Sequence, residues 1–134
     1  MTRATIPVRE IPVEAEADVI VVGGSIAGVA AAVAAAGRGR RVLLVTDRSY
    51  LGEDLCGTLR LWRRELGEDA GPLTRAIFGG GRDEAFVPPV RVKRVLIEAL
   101  LAAGVEFLFL SYPVGVLRDA SGAAGLAVAN RNGT

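Results

Sequence analysis

The chain has 134 residues, a length that fits one domain, and 16 basic against 15 acidic side chains leave a formal net charge of +1. Because no block of like charge stands out, we expect no nucleic-acid partner, and because histidine is absent from the sequence we expect no metal site. The single cysteine, Cys56, cannot form a disulfide within the chain, which favours a reducing, cytoplasmic location.

The first residues differ in character from those that follow. Residues 1–17 contain acidic side chains and two prolines but no apolar segment of the kind that a secretory signal requires. We therefore expect an N-terminal extension at 1–17 and one domain from 18 to 134.

The domain begins with a strand, a helix and a second strand. Residues 18–22 form a β-branched run that ends at two glycines, residues 26–36 contain seven alanines, and residues 41–45 are apolar again. This order predicts a βαβ unit with parallel strands. A membrane span over 19–37 is the competing interpretation, but eleven of these nineteen residues are Ala or Gly, so the run is weakly hydrophobic and we expect no membrane partner.

Further elements are predicted beyond residue 48. A stripe of apolar residues at helical spacing predicts a helix that Gly104 ends; the stripe consists of Val92, Val95, Leu96, Ala99, Leu100 and Ala103. A strand is predicted at 105–110, and two more at 114–118 and 126–129 are joined by a hairpin turn at 119–122. Weaker signals are a short helix at 59–66, a break at 79–81 and an extended run at 83–89. Residues 130–134 resemble a turn without a following strand, so we expect the domain to be truncated at its C-terminus.

The corner between the first strand and the first helix carries the strongest functional signal. We call residues 23–28, Gly-Gly-Ser-Ile-Ala-Gly, the glycine turn. In the pattern G-x-G-x-x-G, Gly23 permits the tight turn and Gly28 lets helix and strand pack closely, while Ser25 replaces the middle glycine. Free N–H groups and the positive end of a helix dipole attract a pyrophosphate there. The alternative is a structural corner that binds nothing.

Asp47 lies nineteen residues after Gly28, just beyond the second strand. A carboxylate at about this spacing accepts hydrogen bonds from the ribose of a dinucleotide. Thr46 occupies the strand end where the acid is first expected, so Asp47 is offset by one residue. The alternative is a solvated turn residue.

These residues resemble a known family. The segment from Asp18 to Gly28, followed by Ala32 and Gly39, looks like the N-terminal FAD-binding segment of FAD-dependent oxidoreductases of the glutathione-reductase-like type, which have two dinucleotide-binding domains. The loop after the second strand is similar to the family's Leu-Gly-Gly loop, except that Glu53 replaces the second glycine. The resemblance covers residues 17–134.

The resemblance implies an α/β fold of the Rossmann FAD/NAD(P)-binding type, with a parallel sheet, crossover helices and a β-meander. It implies FAD, bound non-covalently, with the pyrophosphate held by the backbone of Gly23, Gly24, Ser25, Ile26, Ala27 and Gly28. Asp47 and Arg48 would then lie at the adenosine ribose, Gly52 and Glu53 near the ribityl chain or diphosphate, and Val114 beside the adenine.

The expected function is the FAD-binding portion of a flavin-dependent oxidoreductase that acts on an unknown small molecule. The flavin would supply the chemistry, and no residue of this chain is predicted as a catalytic acid or base. The family's second flavin-contacting motif and substrate domain are not recognised here, so the missing C-terminal part of the same enzyme is an expected partner. The competing hypothesis is a non-catalytic module that binds NAD or an adenine nucleotide.

Two weaker candidates lie between the glycine turn and the long helix. Cys56 suggests a redox role, and Trp62 among Arg60, Arg63 and Arg64 suggests a cation–π patch. For Cys56 a small packed residue is the favoured interpretation, and for Trp62 a packed ring on a solvated face.

Overall fold

The protein is described from a computed structural model, which covers residues 10–63, 66–68, 70–79 and 85–131. The strands are β1 (Val19–Val22), β2 (Val42–Val45), β3 (Trp62–Arg63), β4 (Ala85–Phe86), β5 (Glu106–Leu108), β6 (Tyr112–Asp119) and β7 (Gly122–Ala129). The helices are α1 (Ile26–Ala36), α2 (Glu53–Cys56), α3 (Pro72–Phe78) and α4 (Pro89–Ala102).

A three-stranded parallel sheet in the order β1-β2-β5 forms the centre of the fold. Val22 pairs with Val45, and Val45 with Leu108, so the three strands end at one edge of the sheet. The central strand β2 is buried along its whole length, as expected for a parallel strand covered on both faces. The predicted βαβ unit is confirmed, and its carboxyl edge carries both the glycine turn and the loop after β2.

The helices α1 and α4 pack against each other, and α1 also packs on β1 and β2. The alanine-rich sequence of α1 keeps its surface close to the sheet, and Val29 and Ala32 are fully buried there. Helix α4 buries Val92, Leu96 and Leu100, three members of the predicted stripe. After α4, Gly104 has a φ of +68° and ends the helix as predicted.

The predicted helix at 59–66 is wrong. Leu59 has a φ of +58°, outside the helical region, and Trp62 and Arg63 form strand β3 instead. Strand β3 pairs antiparallel with β4, and the Val87 N–H donates to the Leu61 carbonyl at 2.8 Å. Partners more than twenty residues away therefore determine the backbone here, and residues 64 and 65 lie outside the described residues.

The end of the chain forms an antiparallel hairpin of β6 and β7, longer than the predicted strands. The turn is at Asp119–Gly122 as predicted, and the Asp119 carboxylate accepts hydrogen bonds from the backbone N–H and hydroxyl of Ser121 at 2.7 and 2.6 Å. The predicted strand at 105–110 is shorter, because Leu110 has a φ of +51°. Of the predicted break at 79–81 only Gly79 is described, with a φ of +73°.

Two sequence expectations concern residues near the limits of the described ranges. The extended run at 83–89 contains β4, whereas residues 83 and 84 lie outside the described residues, as do 132–134 of the predicted final turn. Within the ranges that the structure covers, no helix combines the length and apolar character needed to cross a bilayer.

Candidate functional site

The glycine turn begins where β1 ends. Gly23 has a φ of +112°, which L side chains rarely adopt, and its N–H donates to the Val45 carbonyl at 2.8 Å. This hydrogen bond keeps the turn attached to β2 while the chain reverses into α1. The turn therefore lies at the carboxyl edge of the sheet, where open α/β folds bind their ligands.

Close backbone approach explains the last glycine of the turn. A Cβ atom added to Gly28 would overlap the Gly23 carbonyl oxygen, a backbone atom that cannot move aside. A Cβ on Gly24 would come within 2.9 Å of Leu51 Cδ2 and 3.1 Å of Thr46 Oγ1. A side chain at Gly28 would therefore displace backbone, and one at Gly24 would displace the buried Leu51.

Ser25 replaces a glycine of the fingerprint without strain. Its φ of −68° and ψ of 168° are ordinary extended values, so the dihedral angles do not require glycine. Its hydroxyl oxygen accepts a hydrogen bond from the Gly28 N–H at 3.1 Å, which makes Ser25 the N-cap of α1. The serine thus satisfies one of the helix's unpaired donors.

The amides of residues 25–27 divide into two groups. Within the described residues, the backbone N–H groups of Ser25 and Ala27 donate to no other group of the chain. The Ile26 N–H donates to the carboxylate of Asp54, at 3.3 Å from Oδ1 and 3.2 Å from Oδ2. The N-terminus of α1 therefore offers two free donors and one that an acidic side chain already engages.

The loop after β2 packs on the glycine turn. The Gly52 N–H donates to the Gly24 carbonyl at 2.7 Å, and Leu51 is fully buried. Gly52 has a φ of +78°, and a Cβ there would come within 2.8 Å of Val92 Cγ1 and 2.9 Å of Leu96 Cδ1. Gly52, the glycine of the Leu-Gly-Glu sequence, is therefore required because the loop packs tightly between the turn and α4.

Thr46 and Asp47 have different environments. Thr46 is buried beneath Gly24, its N–H donates to Leu108 and its carbonyl accepts from Ser111. Asp47 is partly exposed, with its Oδ2 3.9 Å from Arg48 Nε. The carboxylate one residue after the strand end is thus accessible, while Thr46 belongs to the packing of the turn.

Arg48 and Glu53 form an ion pair across the loop, with Arg48 Nε 2.8 Å from Glu53 Oε2. The hydrogen bond to Glu53 and the nearby Asp47 carboxylate raise the pKa of Arg48 above its ordinary value. The loop therefore carries one cation between two carboxylates, beside the glycine turn.

Val114 belongs to the hairpin and not to the glycine turn or the loop after β2. It lies exposed on β6 at a β-bulge, because Pro113 pairs with Val128 and Gly115 with Ala127. A surface groove of about 310 Å³ lies at the base of the hairpin, lined by Leu110, Tyr112, Ala129, Asn130 and Arg131. The Leu110 N–H donates to the Arg48 carbonyl at 3.1 Å, which joins this groove to the loop that carries Asp47.

Asp54 is the site residue that sequence reasoning missed. It follows Glu53, the residue that departs from the Leu-Gly-Gly pattern, so that departure was the available signal. The contact itself joins residues 28 positions apart and depends on how α2 docks on the turn. No local pattern contains that information.

The weaker candidates have structural environments. Burial raises the pKa of the Cys56 thiol, and its Sγ lies 3.8 Å from the Pro89 carbonyl, so Cys56 is not an activated thiolate. Trp62 is exposed on β3. Among the described residues a cation–π contact joins Lys93 to Tyr50, with the Lys93 Nζ 4.1 Å from the ring centroid, and Arg64 of the predicted patch lies outside those residues.

A parallel βαβ unit with a glycine-rich strand–helix corner and an acidic residue after the second strand defines a Rossmann-type dinucleotide-binding domain. Residues 18–134 match the family described as FAD dependent oxidoreductase, and the chain belongs to this family. The expected membership of the FAD-dependent oxidoreductases is thereby confirmed, and the family supports FAD as the cofactor. No curated protein matches the sequence.

Several solved structures have the same fold. THI4 of Thermovibrio ammonificans is 21% identical with a TM-score of 0.63, over 84% of this chain and 47% of that protein. A geranylgeranyl bacteriochlorophyll reductase-like protein of Thermoplasma acidophilum is 21% identical with a TM-score of 0.59, over 87% and 35%. Aklavinone-11 hydroxylase, solved with FAD and aklavinone, is 17% identical with a TM-score of 0.54, over 91% and 31%.

At these identities the similarity shows the fold. It confirms the α/β Rossmann-type architecture that the sequence predicts. The match also covers less than half the length of each of these proteins.

Proposed function

We propose that the glycine turn binds the diphosphate of FAD and that the chain forms the FAD-binding portion of a flavin-dependent oxidoreductase. The observation that carries this proposal is the backbone cradle at α1. Side chains at Gly24 and Gly28 would displace neighbouring atoms, and the amides of Ser25 and Ala27 are free. Helix α1 has no acidic residue in its own first turn to oppose an anion.

The residues of the turn suit a diphosphate on chemical grounds. An anion at the start of α1 would accept hydrogen bonds from free backbone N–H groups and interact favourably with the helix dipole. The partial charge at a helix N-terminus is about half a positive elementary charge. Of the turn residues, Ser25, Ile26 and Ala27 would contribute donors, while Gly23, Gly24 and Gly28 shape the closely packed turn that presents these donors.

The adenosine half of FAD would lie beyond β2. Asp47 is exposed enough to accept hydrogen bonds from the ribose hydroxyls, and Arg48 lies beside it. The groove at the base of the hairpin would receive the adenine, with Val114 two residues beyond Tyr112. Gly52 and Glu53, in the loop that packs on the turn, would lie near the ribityl chain or the diphosphate.

When bound, the flavin supplies the redox chemistry, and this chain binds and orients it. The Arg48 guanidinium would offset part of the negative charge that the phosphates bring to the loop. The substrate would be a small molecule, and we assign no residue of this chain to its contacts. We further propose the glutathione-reductase-like subtype, a binding domain at 18–134 with an extension at 1–17, and a cytoplasmic location.

Titration with FAD and with NAD tests the proposal. We expect the purified protein to quench the fluorescence of added FAD in a saturable manner and to bind NAD much more weakly. Tight NAD binding without FAD uptake would contradict the proposal and support the non-catalytic nucleotide-binding module. Uptake of neither FAD nor NAD would also contradict the proposal.

A further inference from the structure

We infer that the Asp54 carboxylate is an internal occupant of the α1 N-terminus, which an incoming diphosphate must displace. The inference rests on the proposed function, because it concerns the same turn. Both carboxylate oxygens lie within hydrogen-bond distance of the Ile26 N–H, at 3.3 and 3.2 Å. Ile26 is the first residue of α1, so its N–H has no partner within the helix.

The position of Asp54 follows from the packing of α2. Gly52 is the N-cap of α2 and donates its N–H to the Gly24 carbonyl at 2.7 Å, so α2 begins on the glycine turn itself. The Thr58 hydroxyl donates to the Asp54 carbonyl at 2.6 Å at the other end of this short helix. Asp54 is therefore positioned by α2, a segment that is hydrogen-bonded to the glycine turn.

A carboxylate is a reasonable substitute for a phosphate at this place. Helix α1 has no acid in its own first turn, so Asp54 supplies the negative charge that a helix N-terminus favours. A diphosphate would need the same Ile26 donor, and two anions at one donor repel each other. Asp54 must therefore turn away before a diphosphate reaches all the amides of the turn.

This competition predicts that a ligand which contacts the turn alone binds weakly. A small anion such as pyrophosphate gains contacts at the turn alone, so the free energy needed to displace Asp54 leaves its binding weak. A dinucleotide gains further contacts along the loop and the hairpin groove, which offset the same loss. Asp54 thus lowers the affinity of the turn for both kinds of ligand by the same factor, and only a ligand with further contacts still binds tightly.

The test replaces Asp54 by asparagine, which keeps the shape and a hydrogen-bond acceptor and removes the charge. Asp54 is exposed, so we expect Asp54→Asn to fold normally. Glu98→Gln is the matched control, because it removes one exposed carboxylate on α4, where Glu98 pairs with Arg94. We expect Asp54→Asn to bind FAD about tenfold more tightly than the unchanged chain and Glu98→Gln to bind it equally well.

Titration calorimetry with inorganic pyrophosphate separates this inference from the proposed function. Tighter pyrophosphate binding by Asp54→Asn, without FAD binding by either protein, would support the Asp54 contact and contradict the flavin function. Equal FAD affinities of the unchanged chain and Asp54→Asn would overturn the inference and leave the function intact. Weaker binding of both ligands by Asp54→Asn, or binding of neither, would also overturn it.

Discussion

Gly28 in the glycine turn and Gly115 in β6 differ in the space that surrounds them. The difference appears when each glycine is replaced by alanine, which adds a Cβ atom. The added Cβ would overlap the Gly23 carbonyl oxygen at Gly28, whereas at Gly115 its nearest neighbour would be the Ala127 Cβ, 4.0 Å away. The overlap at Gly28 requires the backbone to move, whereas the 4.0 Å distance at Gly115 is an ordinary van der Waals contact. Identical residue types therefore carry different constraints in the two regions.

The same contrast holds for the surroundings of each region. Strand β2, to which the turn is attached, is buried at every residue, while every residue of β6 is exposed, including Val114 and Val116. Since the turn is tightly packed between strand, helix and loop, the small volume available restricts which residues it can contain. The hairpin is free of that compression within the described residues, and its sequence is fixed mainly by strand pairing.

The largest effect is expected from alanine at the two glycines. Gly28→Ala should lower the free energy of unfolding by about 3 kcal/mol, because helix and strand must separate. Gly115→Ala should change it by less than about 1 kcal/mol. Urea denaturation of both variants measures the difference, and equal losses would show that the close approach at Gly28 is relieved cheaply.

The next effect concerns the ribose. Asp47→Ala should weaken FAD binding by about 1.5–3 kcal/mol, the size of a hydrogen bond to a charged group. Asp119→Ala, which removes a carboxylate from the hairpin turn, is the control and should leave the affinity unchanged. Fluorescence titration measures both, and an unaffected Asp47→Ala variant would mean that another residue contacts the ribose.

A smaller effect is expected at the cap of α1. Ser25→Ala removes the acceptor for the Gly28 N–H and should destabilise the fold by about 1 kcal/mol. Ser121→Ala in the exposed hairpin turn should change stability by less than about 0.5 kcal/mol. Thermal unfolding followed by circular dichroism compares the two, and a neutral Ser25→Ala would argue against the capping role.

The smallest effect concerns pH. The Arg41 backbone N–H and guanidinium lower the pKa of Asp18, and the hydroxyl and N–H of Ser121 lower that of Asp119. A carboxylate whose folded pKa is depressed stabilises the fold above its unfolded pKa, near 3.9, and loses that contribution as pH falls through the folded value. At pH values below about 4, the unfolding temperature should therefore decrease slightly.

The salt concentration should distinguish the contributions of Asp18 and Asp119 to stability. Asp18→Asn should reduce this acid-dependent loss more at low salt than at high salt, because its partner Arg41 is charged. Asp119→Asn should reduce it equally at both, because its partners are neutral. A salt-independent effect of Asp18→Asn would show that the backbone N–H alone is responsible.

Local sequence patterns were sufficient to predict an element where their spacing matched the face that the element buries. The alanine run predicts α1 at 26–36, and the apolar stripe predicts α4, because each pattern repeats at the spacing of the buried face. At Leu59 the same reasoning failed. Pairing of β3 with β4, a distant segment, overrides the helical preference of 59–66.

By itself, the sequence determined the βαβ unit, the glycine turn and the family to which the chain belongs. These features depend on short-range spacing, which a strand, a corner and a helix impose on neighbouring residues. Tertiary structure decided that Thr46 is buried while Asp47 is accessible, and that Asp54 reaches the Ile26 amide. Those contacts join residues brought together by the docking of loops on the sheet edge, and no spacing along the chain encodes them.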